Sequence, residues 1–290
     1  MSNPIVLVVG AAGRFAGLLV PELVRRGATV RALVRSEANA AVARKAGAAE
    51  IALGDLRDAA SLEAAARGAR GIFHIGPAFA PDESELGLRM VGAAKRAGVR
   101  RFVFSSVMHP TNARLGTHAM KQPVEEALFG SGLAYTILQP TNFYQNIELA
   151  WPAVLAHGVF AEPFAKTAPV ARVDYRDVAE VAAKALTEDH LAYGTFELCG
   201  EEQPTREDIV ALMGEALGRP KSIAAAEPSF AEWRAMANPP YDERQLGWLA
   251  SIFAYYNEHG IRGNTTVLRT LLGRSPRTLR AYVGELAQSS

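Results

Sequence analysis

Two kinds of segment alternate along the first half of the chain. Short runs rich in β-branched residues are apolar on both faces, which is typical of strands buried between two layers. Segments rich in Ala and Leu separate these runs, and most of them end at Gly, a common helix stop. The pattern predicts an α/β fold, a doubly wound parallel sheet of the Rossmann type with right-handed crossovers. The predicted strands are residues 5–9, 29–34, 50–54, 71–76, 101–106 and 134–140.

The pattern changes after residue 140, where aromatic residues become frequent and Pro and Gly interrupt the segments. Residues 168–190 return to a clear helical pattern, and residues 194–200 predict one more strand. We therefore expect a Rossmann domain of residues 1–140, with 168–190 packing back onto it. Residues 141–290 form a smaller, mostly helical and discontinuous substrate or lid domain. Pro21 lies inside the first helical segment, where we expect a kink without loss of the helix.

Composition and charge exclude several classes of protein. Apolar residues make up 49% of the chain and charged residues 21%, with a net charge of +1. This balance gives no global field that would recruit nucleic acid or an anionic membrane. The single cysteine, Cys199, excludes an internal disulfide and fits a small core residue better than a nucleophile. No apolar span of 18 residues occurs and the histidines show no metal-ligand spacing, so we expect a cytoplasmic protein without a metal site.

A glycine-rich turn, VVGAAGRFAG, joins the first predicted strand to the first predicted helix. A nucleotide-binding turn of this kind needs small residues at three places: for the tight bend, for close approach to the diphosphate, and for packing of helix on strand. Gly10 and Gly13 occupy the first two places and Ala16 the third, with Gly17 next to it. We expect the helix to begin near Gly13 and to present unpaired N–H groups to phosphate. The predicted contacts in this turn are Gly10, Ala12, Gly13, Arg14 and Phe15.

Charge at the end of the second strand indicates which dinucleotide is bound. A site for NAD would carry a carboxylate there to bind the ribose 2′-hydroxyl. This chain has Arg35 and Ser36 instead, the first acid is Glu37, and Arg14 lies within reach. Two guanidinium groups suit a 2′-phosphate, so we predict NADP(H) as the cofactor. The alternative is that both arginines are solvated surface residues.

The chain resembles the NmrA-like family of atypical short-chain dehydrogenases along nearly its whole length. The resemblance rests on the glycine turn and on GDLRDAASLEAAARG, AAKRAGVRRFVFSS, KQPVEEALFGSGLAYTILQPTNFYQN and the C-terminal YYNEHGIRGNTTVLRTLLGRSPRTLRAYV. The family is functionally mixed: it includes NADPH-dependent reductases of quinones, dyes and phenylpropanoid-type compounds. It also includes NADP-sensing regulators that have lost catalysis.

The resemblance implies further contacts, which lie at the carboxyl ends of strands except for Lys121 at the start of a helix. Lys121 would hold hydroxyls of the nicotinamide ribose. For Ser105 and Ser106, contact with the nicotinamide and a plain strand-end hydroxyl remain equal alternatives. The other residues implied are Asp55 and Leu56 at the adenine, Gly76 and Pro77 at the ribose and diphosphate, and Pro140, Thr141, Asn142 and Phe143 in the pocket floor.

The catalytic pattern departs from that of ordinary short-chain dehydrogenases. Four residues before Lys121 these enzymes carry a tyrosine that protonates the carbonyl oxygen, whereas this chain has Thr117. His118 and His109 are alternative donors, although a surface histidine is the favoured interpretation of His118. We place Tyr144 first among the donors, because its loop should face the nicotinamide, and predict Lys121 and Tyr144 as the catalytic residues.

Without a positioned acid, ketone reduction suffers most, because it produces an alkoxide, whereas a conjugated acceptor delocalises the incoming charge. The sequence thus predicts an NADPH-dependent reductase of a planar acceptor, such as a quinone, an azo dye or an enone, acting as a monomer or homodimer. The alternative is a non-catalytic NADP(H) sensor that acts through a protein partner. Aromatic residues that could line the acceptor pocket, although most must pack the core, are Phe143, Tyr144, Trp151, Phe160, Phe164, Trp233 and Trp248.

Overall fold

The computed structural model describes residues 3–219 and 222–290. The chain divides into two compact units, which are described separately. The first comprises Met1–Thr111, Thr117–Gln139 and Tyr175–Phe196, and the second comprises Asn112–Gly116, Pro140–Asp174 and Glu197–Ser290. Within the described ranges, no helix combines the length and the apolar character that crossing a membrane requires.

A seven-stranded sheet forms the middle layer of the fold, and six of its strands follow the six predicted apolar runs. The strands of the chain are β1 (Ile5–Val9), β2 (Thr29–Val34), β3 (Glu50–Leu53), β4 (Gly71–Ile75), β5 (Arg101–Ser105), β6 (Ala134–Pro140), β7 (Asn142–Phe143), β8 (Val159–Ala161), β9 (Arg172–Val173), β10 (Gly194–Leu198) and β11 (Ala224–Ala226). The order in the sheet is β10-β6-β5-β4-β1-β2-β3. Strands β1 to β6 pair in parallel, so their carboxyl ends share one edge. The predicted fold class is confirmed.

Helices cover the sheet and make up most of the second unit. They are α1 (Leu19–Arg25), α2 (Glu37–Ala46), α3 (Ala59–Ala66), α4 (Glu83–Arg96), α5 (Gly116–Ala119), α6 (Gln122–Phe129), α7 (Trp151–His157), α8 (Tyr175–Thr187), α9 (Arg206–Ala216), α10 (Phe230–Ala237), α11 (Glu243–His259), α12 (Thr266–Leu272) and α13 (Leu279–Gln288). Two 3₁₀ turns span Ala16–Leu18 and Tyr144–Leu149. The second unit also holds two small sheets, in which β11 pairs with β8 and β7 with β9.

One face of the central sheet packs on α3, α4 and α6. Leu7, Ile72 and Phe102 project from the strands into a buried apolar cluster with Met90 of α4 and Leu128 of α6. On the opposite face α1 packs against α8. The central strands β1, β4 and β5 are therefore covered on both sides, which explains why their sequences are apolar on both faces.

The first helix differs from its prediction. Residues 16–18 form a 3₁₀ turn and the α-helix begins at Leu19, so Pro21 is the third residue of α1. A proline in the first turn removes no intrahelical hydrogen bond, because the first four N–H groups have no partner there. The expected kink inside the helix is therefore corrected: the chain starts the α-helix late enough to accommodate Pro21.

A histidine lies in the middle of the sheet. His74 of β4 is fully buried, with its ring stacked on Phe104 at 5.7 Å between centroids. Neither ring nitrogen has a hydrogen-bond partner in the part of the chain that the structure describes. Burial and the nearby charge of Lys121 lower the pKa of His74 to about 4, so the ring is neutral at pH 7.

This burial makes the stability of the protein sensitive to acid. The unfolded chain binds the imidazole proton near pH 6.5 and the folded chain only near pH 4, so stability is lost as the pH falls through this range. We expect the free energy of unfolding of the wild type to fall by about 3 kcal/mol more than that of His74→Leu between pH 7 and pH 4. Urea titrations of both proteins across this range measure the difference. If the free energy of unfolding depended equally on pH in the wild type and in His74→Leu, the neutral state assigned to buried His74 would be contradicted.

Candidate functional site

The turn after β1 has the tight backbone that the glycine spacing predicts. Gly10 adopts a positive φ of 77°, and the N–H of Gly13 donates to its carbonyl oxygen at 2.7 Å. Gly10, Gly13 and Arg14 are exposed to solvent. The helical turn begins at Ala16, which corrects the predicted helix start near Gly13, and the Gly13 N–H is used inside the turn. The predicted contacts Ala12 and Phe15 are half-buried in the same turn.

Positive charge is exposed at the end of β2. Arg35 and Ser36 are both exposed, and the Ser36 hydroxyl caps α2 by accepting the N–H of Asn39 at 3.3 Å. Glu37 forms an ion pair with Arg44 of the same helix at 3.6 Å. The end of this strand therefore presents Arg35 to solvent.

Asp55 and Gly76 follow the carboxyl ends of β3 and β4. The Asp55 carboxylate accepts the backbone N–H of Arg57 at 2.8 Å, which forms a tight turn. Leu56 is half-buried against the apolar cluster of the first unit, whereas Pro77 is exposed. The structure brings these ends to the same sheet edge as the β1 turn.

The loops after β4 and β5 contain strained backbone. Phe79 has a φ of 65° and His109 a φ of 58°, in the left-handed region that side chains other than glycine rarely adopt. Such residues cluster at functional sites, where the surrounding structure holds them in place. Both residues lie in loops on the β4–β5 side of the sheet edge.

Lys121 immediately precedes α6, as the resemblance implies, and its ammonium group is held by the protein. Nζ donates to Oε1 of Glu83 at 2.7 Å and to the carbonyl oxygen of Thr117 at 3.2 Å. Glu83 is the first residue of α4 and is 3% exposed. Sequence reasoning missed Glu83, because an acid in the first turn of a helix is typical of a solvated residue. Gly76, which leaves room for the Glu83 side chain, is the sequence signal that could have identified Glu83.

Both serines at the end of β5 bond to protein groups. The Tyr175 hydroxyl donates to Oγ of Ser105 at 3.0 Å, and Ser106 Oγ donates to Glu125 at 2.5 Å. Gln139 donates to the same carboxylate at 2.9 Å. Burial raises the pKa of Tyr175. Each serine hydroxyl thus has a partner within the protein, and a cofactor contact at Ser105 stays a prediction.

His118 is buried, which corrects its interpretation as a surface histidine. Its Nδ1 lies 2.7 Å from the carbonyl oxygen of Met108, an acceptor, so Nδ1 carries the proton. Burial lowers the pKa of His118 to about 4. At neutral pH the ring is therefore uncharged and cannot act as an imidazolium donor, and Thr117 beside it is a buried alcohol.

The remaining predicted residues belong to the second unit. Oδ1 of Asn142 accepts hydrogen bonds from Arg172 at 3.1 Å and from Asn146 at 3.2 Å. Pro140 is buried and Phe143 half-buried. Tyr144 is fully buried in an apolar cluster, with its ring 5.7 Å from that of Tyr282. This burial argues against the predicted role of Tyr144 as proton donor.

Most of the aromatic residues proposed for an acceptor pocket pack the core of the second unit. Trp151 and Phe160 lie in the cluster with Tyr144, and Phe164 stacks on Phe253 at 5.8 Å. Trp233 and Trp248 are half-buried. Cys199 is buried, and burial raises the pKa of its thiol to about 11, which confirms it as a core residue.

Comparisons with known proteins agree with this architecture. The model of the NmrA-like family matches residues 2–283. The chain is 28% identical over 282 residues to the NAD(P)H azoreductase of Xenophilus azovorans, with 96% of each chain covered. It is 30% identical over 292 residues to the (4-alkanoyl-5-oxo-2,5-dihydrofuran-3-yl)methyl phosphate reductase of Streptomyces griseus, with 98% of each covered. Both alignments cover nearly the whole chain, including residues of both units.

A solved structure shares the fold. The NADPH complex of the quinone oxidoreductase QOR2 from Escherichia coli superposes with a TM-score of 0.84 and 24% sequence identity. The match covers 97% of this chain and 99% of the other.

The neutral state of His118 can be observed directly. Because its pKa is lowered to about 4, we expect the ring to stay uncharged, with the proton on Nδ1, from pH 7 down to pH 5. Nitrogen-15 NMR of the imidazole rings reports both the charge and the tautomer of His118. A titration midpoint of His118 near its ordinary value of 6.5 would show that the ring is not desolvated.

Proposed function

The chain belongs to the NmrA-like family, and on this premise we propose that it is an NADPH-dependent reductase that transfers hydride to a planar conjugated acceptor. Acceptors of this class are quinones, azo compounds and enones. The observation that carries the proposal is similarity over nearly the full length to relatives named as reductases, one of an azo compound and one of a butenolide phosphate. The phosphate is a feature of the second relative's substrate and is not part of the acceptor class proposed for this chain.

The residues of the first unit fit a phosphorylated dinucleotide. The bend at Gly10 exposes the turn backbone at the carboxyl end of β1, where a diphosphate binds in sheets of this kind. Arg35 at the end of β2 and Arg14 in the turn are exposed cations that suit a 2′-phosphate. Asp55 and Leu56 would border the adenine, and Lys121 would hold the nicotinamide ribose. The same strand ends would take NAD less well, because Arg35 and Ser36 stand where an NAD site carries a carboxylate for the ribose 2′-hydroxyl.

The chemistry of the site favours acceptors that need no strong positioned acid. NADPH, when bound, supplies the hydride. The protein's part is to hold donor and acceptor in contact and to exclude competing reactions. Thr117 replaces the usual tyrosine, and His118 is neutral and engaged with Met108. A conjugated acceptor spreads the incoming charge, so solvent or the Lys121 ammonium can complete the reduction with a proton.

We also propose that the protein acts as a monomer or homodimer in the cytoplasm, without a nucleic-acid partner. A net charge of +1, with 31 basic and 30 acidic residues, supports the proposal that nucleic acid is not a partner, because it provides no sustained attraction to a polyanion. The lone buried cysteine is compatible with a reducing compartment.

The test is acceptor-dependent oxidation of NADPH, measured with a soluble naphthoquinone, an azo dye and an enone. Gly10→Ala and Gly27→Ala form a matched pair, since both glycines have a φ of 77° and an added Cβ meets no atom closer than 3.5 Å at either. Each variant should lose about 1 kcal/mol of stability from backbone strain. Only Gly10→Ala should weaken NADPH binding, by about tenfold, because Gly27 lies far from the turn in sequence, after α1.

Three outcomes oppose the proposal in different ways. Absence of saturable NADPH binding would remove the cofactor assignment. Saturable binding without turnover of any acceptor would favour the non-catalytic sensor. Equal loss of binding in the two glycine variants would show that strain, not the turn itself, controls affinity.

The preference for the 2′-phosphate rests on Arg35. Removing one charge-assisted hydrogen bond to phosphate costs about 1.5–3 kcal/mol, so Arg35→Gln should raise the Kd of NADPH by roughly tenfold to a hundredfold. The Kd of NADH should stay within about twofold, because NADH lacks that phosphate. Calorimetric titration measures both, and Arg25→Gln, which removes an exposed arginine paired with Glu22 on α1, is the control. Equal weakening of both cofactors would contradict the assignment of Arg35 to the 2′-phosphate.

A further inference from the structure

A buried carboxylate lies directly behind the turn that follows β4. A Cβ added to Gly76 would come within 2.5 Å of Oε1 of Glu83, so only glycine leaves room for this side chain. Oε1 accepts the hydrogen bond from Lys121 at 2.7 Å. Oε2 is buried and has no hydrogen-bond partner among the described residues. The carboxylate thus has one strong contact, and that contact is Lys121.

Little of the Glu83–Lys121 ion pair is exposed to solvent. The side chain of Glu83 is 3% exposed and that of Lys121 is 14% exposed. Burial raises the pKa of Glu83, and the ammonium group of Lys121 opposes that rise. Removing one member of such a pair leaves the other as an uncompensated charge in a medium of low polarity, which is strongly unfavourable. His74 of β4 is an ionisable side chain of the sheet whose pKa is lowered by burial and by the charge of Lys121. Its ring is neutral, so it cannot compensate the charge of either partner.

The strand order places this pair on one half of the proposed cofactor. Strand β1 lies between β2 and β4, so a dinucleotide with its diphosphate at the β1 turn extends in both directions along the edge. Arg35 at β2 marks the adenosine half. Gly76 at β4 and Lys121 beside it therefore lie on the nicotinamide half.

We propose that Glu83 is a positioning residue, which fixes the ammonium group of Lys121 at the end of β4 so that it can bind the nicotinamide nucleoside. The inference rests on the proposed function and adds to it a second residue that acts only through Lys121. Without the carboxylate, the Lys121 side chain loses the contact that holds its ammonium group at the end of β4. The donor for the nicotinamide half is then no longer positioned, while the adenosine half is unaffected.

A double-mutant cycle tests this dependence. The variants are Glu83→Gln, Lys121→Met and the double variant, and the probes are NADPH and adenosine 2′,5′-bisphosphate, which lacks the nicotinamide half. We expect each single variant to raise the Kd of NADPH by about tenfold, and the double variant to raise it by the same factor rather than by a hundredfold. The Kd of the bisphosphate should stay within about twofold throughout. Glu85→Gln, which removes an exposed carboxylate from the same helix, is the control and should bind both probes as the wild type does.

Other outcomes overturn the inference. A Glu83→Gln protein that binds NADPH like the wild type would show that Lys121 needs no partner. Multiplicative effects in the double variant would show that the two residues act independently, and weakened binding of the bisphosphate would reveal a general structural defect. If Glu83→Gln does not fold, Glu83→Asp decides, because it keeps the charge and withdraws it by one methylene: an intermediate rise in the Kd of NADPH is expected, and no rise refutes the role. Failure of the wild type to bind NADPH would instead remove the proposed function.

Discussion

The parallel pairing of β1 with β2 on one side and β4 on the other is the constraint on which the rest of the first unit depends. It brings the carboxyl ends of separate segments to one edge and leaves their backbone groups at the loops that follow. Residues far apart in the chain, such as Gly10, Arg35 and Gly76, become neighbours along that edge. The apolar cover of α3, α4 and α6 packs on these strands, so the core fixes where the strand ends lie.

Sequence patterns predicted this edge because strand ends are local events. A β-branched run that stops at glycine or a charged residue identifies both the strand and the residue presented at its end, as at Val9–Gly10 and Val34–Arg35. Side-chain contacts between residues far apart in the chain could not be predicted from the sequence in the same way. Glu83 looks like an ordinary acid at a helix start, and nothing in the neighbouring sequence couples it to Lys121, which lies 38 residues further on. Tyr175 and Ser105 meet only because α8 packs against β5.

Burial, more than residue type, distinguishes the candidate chemical groups from one another. His118 and Tyr144 carry suitable chemistry, yet one is neutralised by desolvation and the other lies inside the core of the second unit. The sequence contains little information about such burial, because a polar residue beside apolar ones occurs on surfaces and in cores alike. Lys121 is the exception among the candidate chemical groups of the first unit: it is charged, partly accessible and held by a dedicated partner.

The environment of Cys199 has a consequence for a protein that handles electrophiles. Quinones and enones form adducts with thiolates, and the rate depends on how much of the thiol is ionised and reachable. Cys199 is the single cysteine of the chain, it has no solvent exposure, and its pKa is raised to about 11. The folded chain therefore offers such compounds no accessible thiol, so it resists covalent inactivation through cysteine by the molecules it is proposed to reduce.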